Sequence, residues 1–102
     1  MDEEKAWRVA QQYVAVVREK KMGLQGVYLF GSYANGTAGK DSDIDLAVVF
    51  DGFADSFDMQ VELMKLRRGV DVRIEPHPFR EEDFTLDNPF ASEILDYGRK
   101  VA

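Results

Sequence analysis

The chain has 102 residues, of which 45% are hydrophobic and 31% charged, and its formal net charge is −6 at pH 7. This length supports one core, so we expect residues 1–102 to form a single domain. No apolar run approaches the ~18–20 residues of a membrane helix, and no signal peptide is recognisable, so we expect a cytoplasmic protein. The absence of cysteine excludes disulfides and thiolate metal sites. The acidic balance argues against direct binding to nucleic acid, although a nucleotide carried with a divalent metal remains compatible.

The first half of the chain predicts one long helix and two strands. Apolar residues at helical spacing, with acidic residues in the first turn and lysines in the last, predict a helix from about Asp2 to Lys21. Gly26–Phe30 is apolar on both faces, which is typical of a central strand covered on both sides. A short helical turn through Asn35 and a glycine-containing loop lead to a second strand, Ile44–Phe50.

The second half predicts a helix, a strand and a further helix. The helix runs from about Phe57 to Arg68, and the strand, Val70–Glu75, alternates between apolar and charged residues. Pro76 and Pro78 follow, and we expect them to end this strand as an ordinary ladder. The segment from Asn88-Pro89 through Val101 predicts a final helix of about eleven residues, because its apolar residues recur at helical spacing.

The most informative stretch is GSYANGTAGKDSDIDLAVV, which begins at Gly31 and ends at Val49. Ten residues separate Ser32 from Asp43, and Asp45 follows two positions later, on the same face of the predicted strand. Two adjacent carboxylates are unfavourable unless a cation lies between them. A Gly-Ser turn, in turn, offers backbone N–H groups to anionic oxygens. This pattern predicts a site for a metal ion and a phosphate.

The site also predicts the topology of the sheet. If the Gly-Ser turn and the Asp pair contact the same group, the first two strands are antiparallel, and a helical crossover makes the third parallel to the second. Asp71 would then join Asp43 and Asp45 at one edge, where three carboxylates can hold two divalent ions about 3.5–4 Å apart. Magnesium is the expected ion, because it shares oxygen ligands with substrate phosphates. The predicted fold class is α/β (α+β), a small mixed β-sheet with packed helices in the order α-β-α-β-α-β-α.

Each candidate residue also has a purely structural interpretation. Asp43 and Asp45 could be solvated residues at the start of a strand, and Asp71 could belong to an exposed polar face. Glu75 is a weaker candidate for the site, because it lies at the other end of the predicted strand. His77 lies between two prolines and is expected to be a loop residue rather than a base.

The motif GS-x10-DxD, with SDIDL around the acidic pair, resembles that of the DNA polymerase beta nucleotidyltransferase superfamily. The short length and the order of elements are similar to its minimal nucleotidyltransferase (MNT) members. The resemblance implies the nucleotidyltransferase fold and a Mg²⁺-dependent transfer of a nucleoside monophosphate, usually AMP from ATP, with release of pyrophosphate. One departure weakens the expected phosphate binding: this chain has GSYANG where many minimal members have the arginine-containing GSRARG.

The resemblance implies a role for each residue of the motif. The nucleotide-binding candidates are the Gly-Ser turn and two residues of the loop after it, namely Gly31, Ser32, Lys40 and Ser42. The catalytic and metal-binding candidates are the three carboxylates Asp43, Asp45 and Asp71, the last as a ligand or as a general base.

The resemblance also implies a partner, because 102 residues leave no room for an appended acceptor-binding domain. Minimal members typically pair with a small helical HEPN-domain protein, a candidate RNase toxin, and act as its antitoxin. Three functions remain open. The chain could adenylylate a tyrosine of the HEPN toxin, neutralise the toxin by contact alone with nucleotide as a structural ligand, or modify another acceptor such as a small molecule or an RNA end.

Overall fold

The computed structural model of the chain describes residues 2–39 and 42–102. Within these residues, four α-helices and four strands alternate: α1 (Glu3–Lys20), β1 (Leu24–Phe30), α2 (Ser32–Asn35), β2 (Ile44–Phe50), α3 (Ser56–Leu66), β3 (Ile74–Arg80), α4 (Pro89–Tyr97) and β4 (Arg99–Lys100). No helix in this part of the chain is both long enough and apolar enough to cross a membrane.

The four strands form one mixed sheet in the order β3-β2-β1-β4. β1 and β2 are antiparallel, and Phe30 at the end of β1 lies opposite Asp45 near the start of β2. β2 and β3 are parallel and are connected through α3. These pairings confirm the predicted mixed sheet with packed helices, and they bring the end of β1 to the start of β2.

Helices cover both faces of the sheet, and the two faces use alternate residues of β2. Ile44, Leu46, Val48 and Phe50 are fully buried with the apolar residues of α1 and α3. Ala47 and Val49 point to the opposite face, where they pack with Ala91 and Ile94 of α4. Because successive strand residues alternate between faces, Asp45 lies on the α4 side of the sheet.

β3 begins at Ile74 rather than at Val70, and it continues through both prolines, so the predicted bounds were wrong. β3 is an edge strand, and a proline is tolerated there when its nitrogen faces away from the neighbouring strand. The carbonyls of Ile74 and Pro76 that face away from β2 accept hydrogen bonds from Arg67 Nη1 and Gln60 Nε2, each at 2.8 Å. Side chains from α3 and from Arg67, the residue after it, therefore satisfy groups that a further strand would otherwise bind.

The last helix is shorter than predicted, because α4 spans nine residues and ends at Tyr97. At Gly98 a Cβ atom would lie 2.5 Å from the carbonyl oxygen of Ile94, so the chain turns tightly at this glycine. β4 then pairs with β1, and the N–H of Val101 donates to the carbonyl of Val27 at 2.8 Å. Val101 was wrongly assigned to the helix, since its apolar side chain packs against the α1 side of the sheet.

A buried hydrogen bond ties α1 to α3. The side chain of Tyr13 is fully buried, and its hydroxyl donates to the carbonyl of Leu63 at 2.7 Å. Burial raises the pKa of the Tyr13 hydroxyl well above its usual value, so the group remains a donor at any physiological pH.

We predict that Tyr13→Phe lowers the free energy of unfolding by about 1 kcal/mol, the usual net contribution of one hydrogen bond. Urea unfolding of wild type and variant measures this difference. Tyr28→Phe is the matched control: in the described part of the chain its hydroxyl makes no hydrogen bond, so we expect a change below about 0.5 kcal/mol. Equal effects of the two substitutions would contradict this role for Tyr13.

Candidate functional site

The turn between β1 and α2 lies directly against the carboxylate of Asp45. Gly31 has φ +75° and ψ −150°, a backbone conformation that is open essentially only to glycine. A Cβ atom at this position would lie 2.5 Å from Asp45 Oδ2. The absence of a side chain at Gly31 therefore allows the Gly-Ser turn and the second aspartate of the motif to meet, as the spacing predicts.

The other nucleotide-binding candidates differ in their surroundings. Ser32 is half-buried at the start of α2, and its hydroxyl makes no hydrogen bond within residues 2–39 and 42–102. Ser42 Oγ accepts a hydrogen bond from the N–H of Gly39 at 2.8 Å, so this hydroxyl helps to close the loop before β2. Lys40 lies outside the described residues. Nucleotide binding by these residues stays a prediction.

The two aspartates of the motif lie at the same end of β2 but differ in exposure. Asp43 precedes the strand and is exposed to solvent. The side chain of Asp45 is 28% exposed, and its two oxygens have different neighbours. Oδ1 lies 3.3 Å from His77 Nε2, whereas Oδ2 faces Gly31. Asp45 is therefore held between the Gly-Ser turn on one side and β3 on the other.

Asp71 does not stand beside Asp45 in the structure. It lies in the turn before β3, where Oδ1 accepts from the backbone N–H and Nε of Arg73 at 2.9 and 3.0 Å, and Oδ2 accepts from Nη2 at 2.8 Å. It lines a polar pocket with Lys5 and Arg8 of α1. The hydrogen bonds from Arg73 hold the pKa of Asp71 below its usual value. Its position indicates a structural pair with Arg73.

Glu75 occupies the place that the sequence assigned to Asp71. It lies in register with Asp45 on the neighbouring parallel strand. In-register residues of adjacent strands point to the same face, and the strands are about 4.8 Å apart. The sequence interpretation made Glu75 only a weaker candidate, because it placed this residue at the last position of a strand Val70–Glu75, at the other end from Asp71. The alternation of apolar and polar residues, continued through the prolines, was the signal that could have identified it.

His77 belongs to β3 and lies opposite Ala47. Our expectation that it is a loop residue was therefore wrong. Its ring packs 5.1 Å from the ring of Phe30 and 5.8 Å, edge to face, from that of Phe90. The ring of Phe90 also contacts Phe79 at 5.5 Å. An aromatic cluster from β1, β3 and α4 thus adjoins the Asp45 carboxylate and limits how far His77 can move.

A cleft of about 440 Å³ opens beside the Gly-Ser turn, between α2 and α4. Its walls include Phe30, Gly31, Phe90 and Tyr97, so that aromatic side chains lie next to the turn. Its volume is in the range of small-molecule sites, which are largely apolar with a few polar groups. The cleft therefore has the size and the lining of a site for a small organic molecule next to Gly31.

The carboxylates at this edge suit Mg²⁺, which binds oxygen atoms and usually takes only one or two protein carboxylates, with water and phosphates as its other ligands. Asp45 and the exposed Asp43 supply such a pair, and Glu75 lies level with Asp45. Within residues 2–39 and 42–102, no three acidic, histidine or cysteine side chains form a ready-made metal cluster. The donor set therefore fits an ion that is also bound by its substrate.

A comparison with protein families matches residues 11–101 to the nucleotidyltransferase domain. The chain belongs to this family. The match covers both strands that carry the motif, together with β3 and α4. A comparison with curated proteins finds no match.

Several solved structures resemble the chain. A nucleotidyltransferase candidate from Sulfolobus solfataricus has 22% identity and a TM-score of 0.72 over 96% of this chain and 80% of its own. A toxin–antitoxin structure with AMP-PNP has 26% identity and a TM-score of 0.70 over 90% and 72%. A complex of a tri-AMPylated HEPN toxin with an MNT antitoxin, from Shewanella oneidensis, has 22% identity and a TM-score of 0.65 over 98% and 71%. The likenesses at 22% identity show a shared fold.

We predict that Gly31→Ala destabilises the protein by about 1–3 kcal/mol, because the new methyl group requires a strained backbone and collides with Asp45 Oδ2. Thermal and urea unfolding measure the loss. The control is Gly52→Ala, where a Cβ atom would meet nothing within 4 Å, and we expect a change of less than about 0.5 kcal/mol.

A second prediction concerns pH. Because the folded-state pKa of Asp71 is lowered, its contribution to stability is present above the ordinary carboxyl pKa of about 3.9 and is lost as the pH falls through the folded-state value. Arg73 is partly exposed, so Asp71→Asn should cost at most about 1 kcal/mol at pH 7, and wild type and variant should converge in acid. Unfolding measured from pH 7 to strong acid, with the exposed Asp87→Asn as control, tests this. A difference that stays constant with pH would contradict the ion pair.

Proposed function

We propose that the protein is a Mg²⁺-dependent nucleotidyltransferase that transfers AMP from ATP to a tyrosine of a HEPN-domain toxin and thereby acts as its antitoxin. The observation that carries the proposal is the Asp45 carboxylate, held between the Gly-Ser turn and β3 in a chain of the nucleotidyltransferase family. Two similar structures support it, namely a toxin–antitoxin with AMP-PNP and a tri-AMPylated HEPN toxin bound to an MNT antitoxin.

The binding roles follow from the layout of the site. The turn at Gly31 and the hydroxyl of Ser32 receive the phosphates, with Lys40 and Ser42 as further contacts from the loop. The aromatic cleft beside Gly31 takes the adenosine. Asp43 and Asp45 hold magnesium, which when bound neutralises phosphate charge and lowers the pKa of the attacking hydroxyl.

We assign the third carboxylate to Glu75 in place of Asp71. Glu75 lies in register with Asp45, whereas the Asp71 carboxylate is engaged with Arg73. In the transfer, the tyrosine oxygen forms a bond to the α-phosphorus and the bond to pyrophosphate breaks. We assign to Glu75 the role of accepting the phenolic proton; its register with Asp45 and its partial burial support this assignment.

A second candidate function is that of an antitoxin that neutralises the HEPN partner by contact alone. The observation that favours it is the segment GSYANG, which lacks arginine at the positions where many minimal members carry phosphate-binding cations. If the phosphates are bound too weakly for transfer, a bound nucleotide would serve as a structural ligand rather than as a substrate. The two candidates make opposite predictions for label transfer.

The test is transfer of label from ATP carrying ³²P on the α-phosphate, with Mg²⁺ and the proteins that copurify with the chain, among which we expect a HEPN-domain protein. We predict that Asp45→Asn and Glu75→Gln each reduce labelling by about 100-fold or more, since metal and proton chemistry contribute several kcal/mol to the barrier. Asp71→Asn is the matched carboxylate control and should change labelling less than about threefold.

Each other outcome points to a specific error. Full labelling by Asp45→Asn would contradict the metal site. A large loss in Asp71→Asn but not in Glu75→Gln would restore Asp71 as the third carboxylate. A partner that is bound and inhibited by wild type without any label would establish the contact-only antitoxin.

A further inference from the structure

We propose that His77 is a positioning residue for the nucleotidyltransferase site: its Nε2–H donates to Asp45 Oδ1 and turns the other carboxylate oxygen toward the β1–α2 turn. The proposal rests on the proposed function, because it concerns the geometry of the carboxylate assigned to magnesium. It adds to that function a residue that lies outside the GS-x10-DxD motif and on a different strand.

The sheet register brings His77 to Asp45. On the α4 face of the sheet, Asp45 of β2 is in register with Glu75 of β3, and Ala47 is in register with His77. His77 is therefore two residues farther along β3 than Glu75, and its imidazole extends back toward the Asp45 carboxylate. The two atoms are 3.3 Å apart, and the side chains are 28% and 34% exposed. This distance is longer than the usual 2.9–3.0 Å, so we expect the contact to contribute little to the stability of the fold.

The imidazole is itself held in place by rings and by the backbone. Phe30 and Phe90 contact it at 5.1 and 5.8 Å between centroids, and their own centroids are 5.6 Å apart, so the three rings pack against one another. The residues before and after it are Pro76 and Pro78, whose rings fix their φ angles. The donor therefore has a defined position, which is the requirement for orienting a neighbouring group.

The two oxygens of Asp45 have separate tasks in this arrangement. Oδ1 is directed to His77, and Oδ2 lies at the Gly31 backbone, where phosphates would approach. Without the donor, the carboxylate can rotate about its terminal bond and loses this distinction. Hydrogen-bond partners of metal ligands typically contribute 10–100-fold to metal affinity, which sets the expected scale of the effect.

The experiment is a Mn²⁺ titration of the full chain, followed by the electron paramagnetic resonance signal of free Mn²⁺. His77→Leu and His77→Phe remove the donor while they keep an apolar side chain among the rings. His77→Gln keeps an amide donor at a similar reach. Thermal unfolding of each variant separates loss of binding from loss of folding.

We expect His77→Leu and His77→Phe to weaken Mn²⁺ binding by about 10–100-fold, and His77→Gln to stay within about threefold of wild type. Wild-type affinity in both the Leu and the Phe variant would overturn the proposal. So would His77→Gln as weak as His77→Leu, since ring packing rather than the donor would then matter. If Asp45→Asn binds Mn²⁺ as well as wild type, the metal role of Asp45 fails, and the positioning role fails with it.

Discussion

The close approach of the Gly31 backbone to the Asp45 carboxylate is the contact on which the rest of the site depends. It requires two conditions at once: an antiparallel register that places Phe30 opposite Asp45, and a residue without a side chain immediately after Phe30. The backbone of Gly31 then turns with a positive φ into α2. The antiparallel register is a property of the sheet, and the missing side chain is a property of Gly31. The contact therefore requires both this fold and this sequence motif.

β3 completes what this contact begins. Asp45 belongs to β2, a central strand, so it has a neighbouring strand on either side. The Gly-Ser turn follows β1 on one side, and β3 on the other side contributes Glu75 and His77 on the same face. The rings of Phe30 from β1 and Phe90 from α4 contact the His77 imidazole and each other. The polar chemistry therefore lies at one end of the sheet, on a rigid apolar support.

The sequence predicted the strands and helices that bury a regular face, and β2 agrees residue for residue because both of its faces follow the period of a strand. The sequence-based prediction was wrong where tertiary contacts overrode a local sequence rule. The rule that prolines end a strand placed β3 too early and favoured Asp71 over Glu75, yet an edge strand accepts prolines. The apolar residue Val101 fits the helical spacing of α4, but it fits equally well a residue at the edge of the sheet that packs on the core. A two-residue strand such as β4 is too short to show a periodic pattern.

In the part of the chain that the structure describes, both edges of the sheet offer few backbone groups to a further strand. On one edge, Pro76 and Pro78 have no N–H to offer, and the outward carbonyls of Ile74 and Pro76 are already bonded. The other edge is β4, only two residues long, and both of these, Arg99 and Lys100, are charged. Backbone pairing is therefore a poor route for any other polypeptide to join this sheet, whether a partner or another copy. A protein partner has to recognise side chains, and its specificity can change by surface substitutions that leave the sheet and its carboxylates intact.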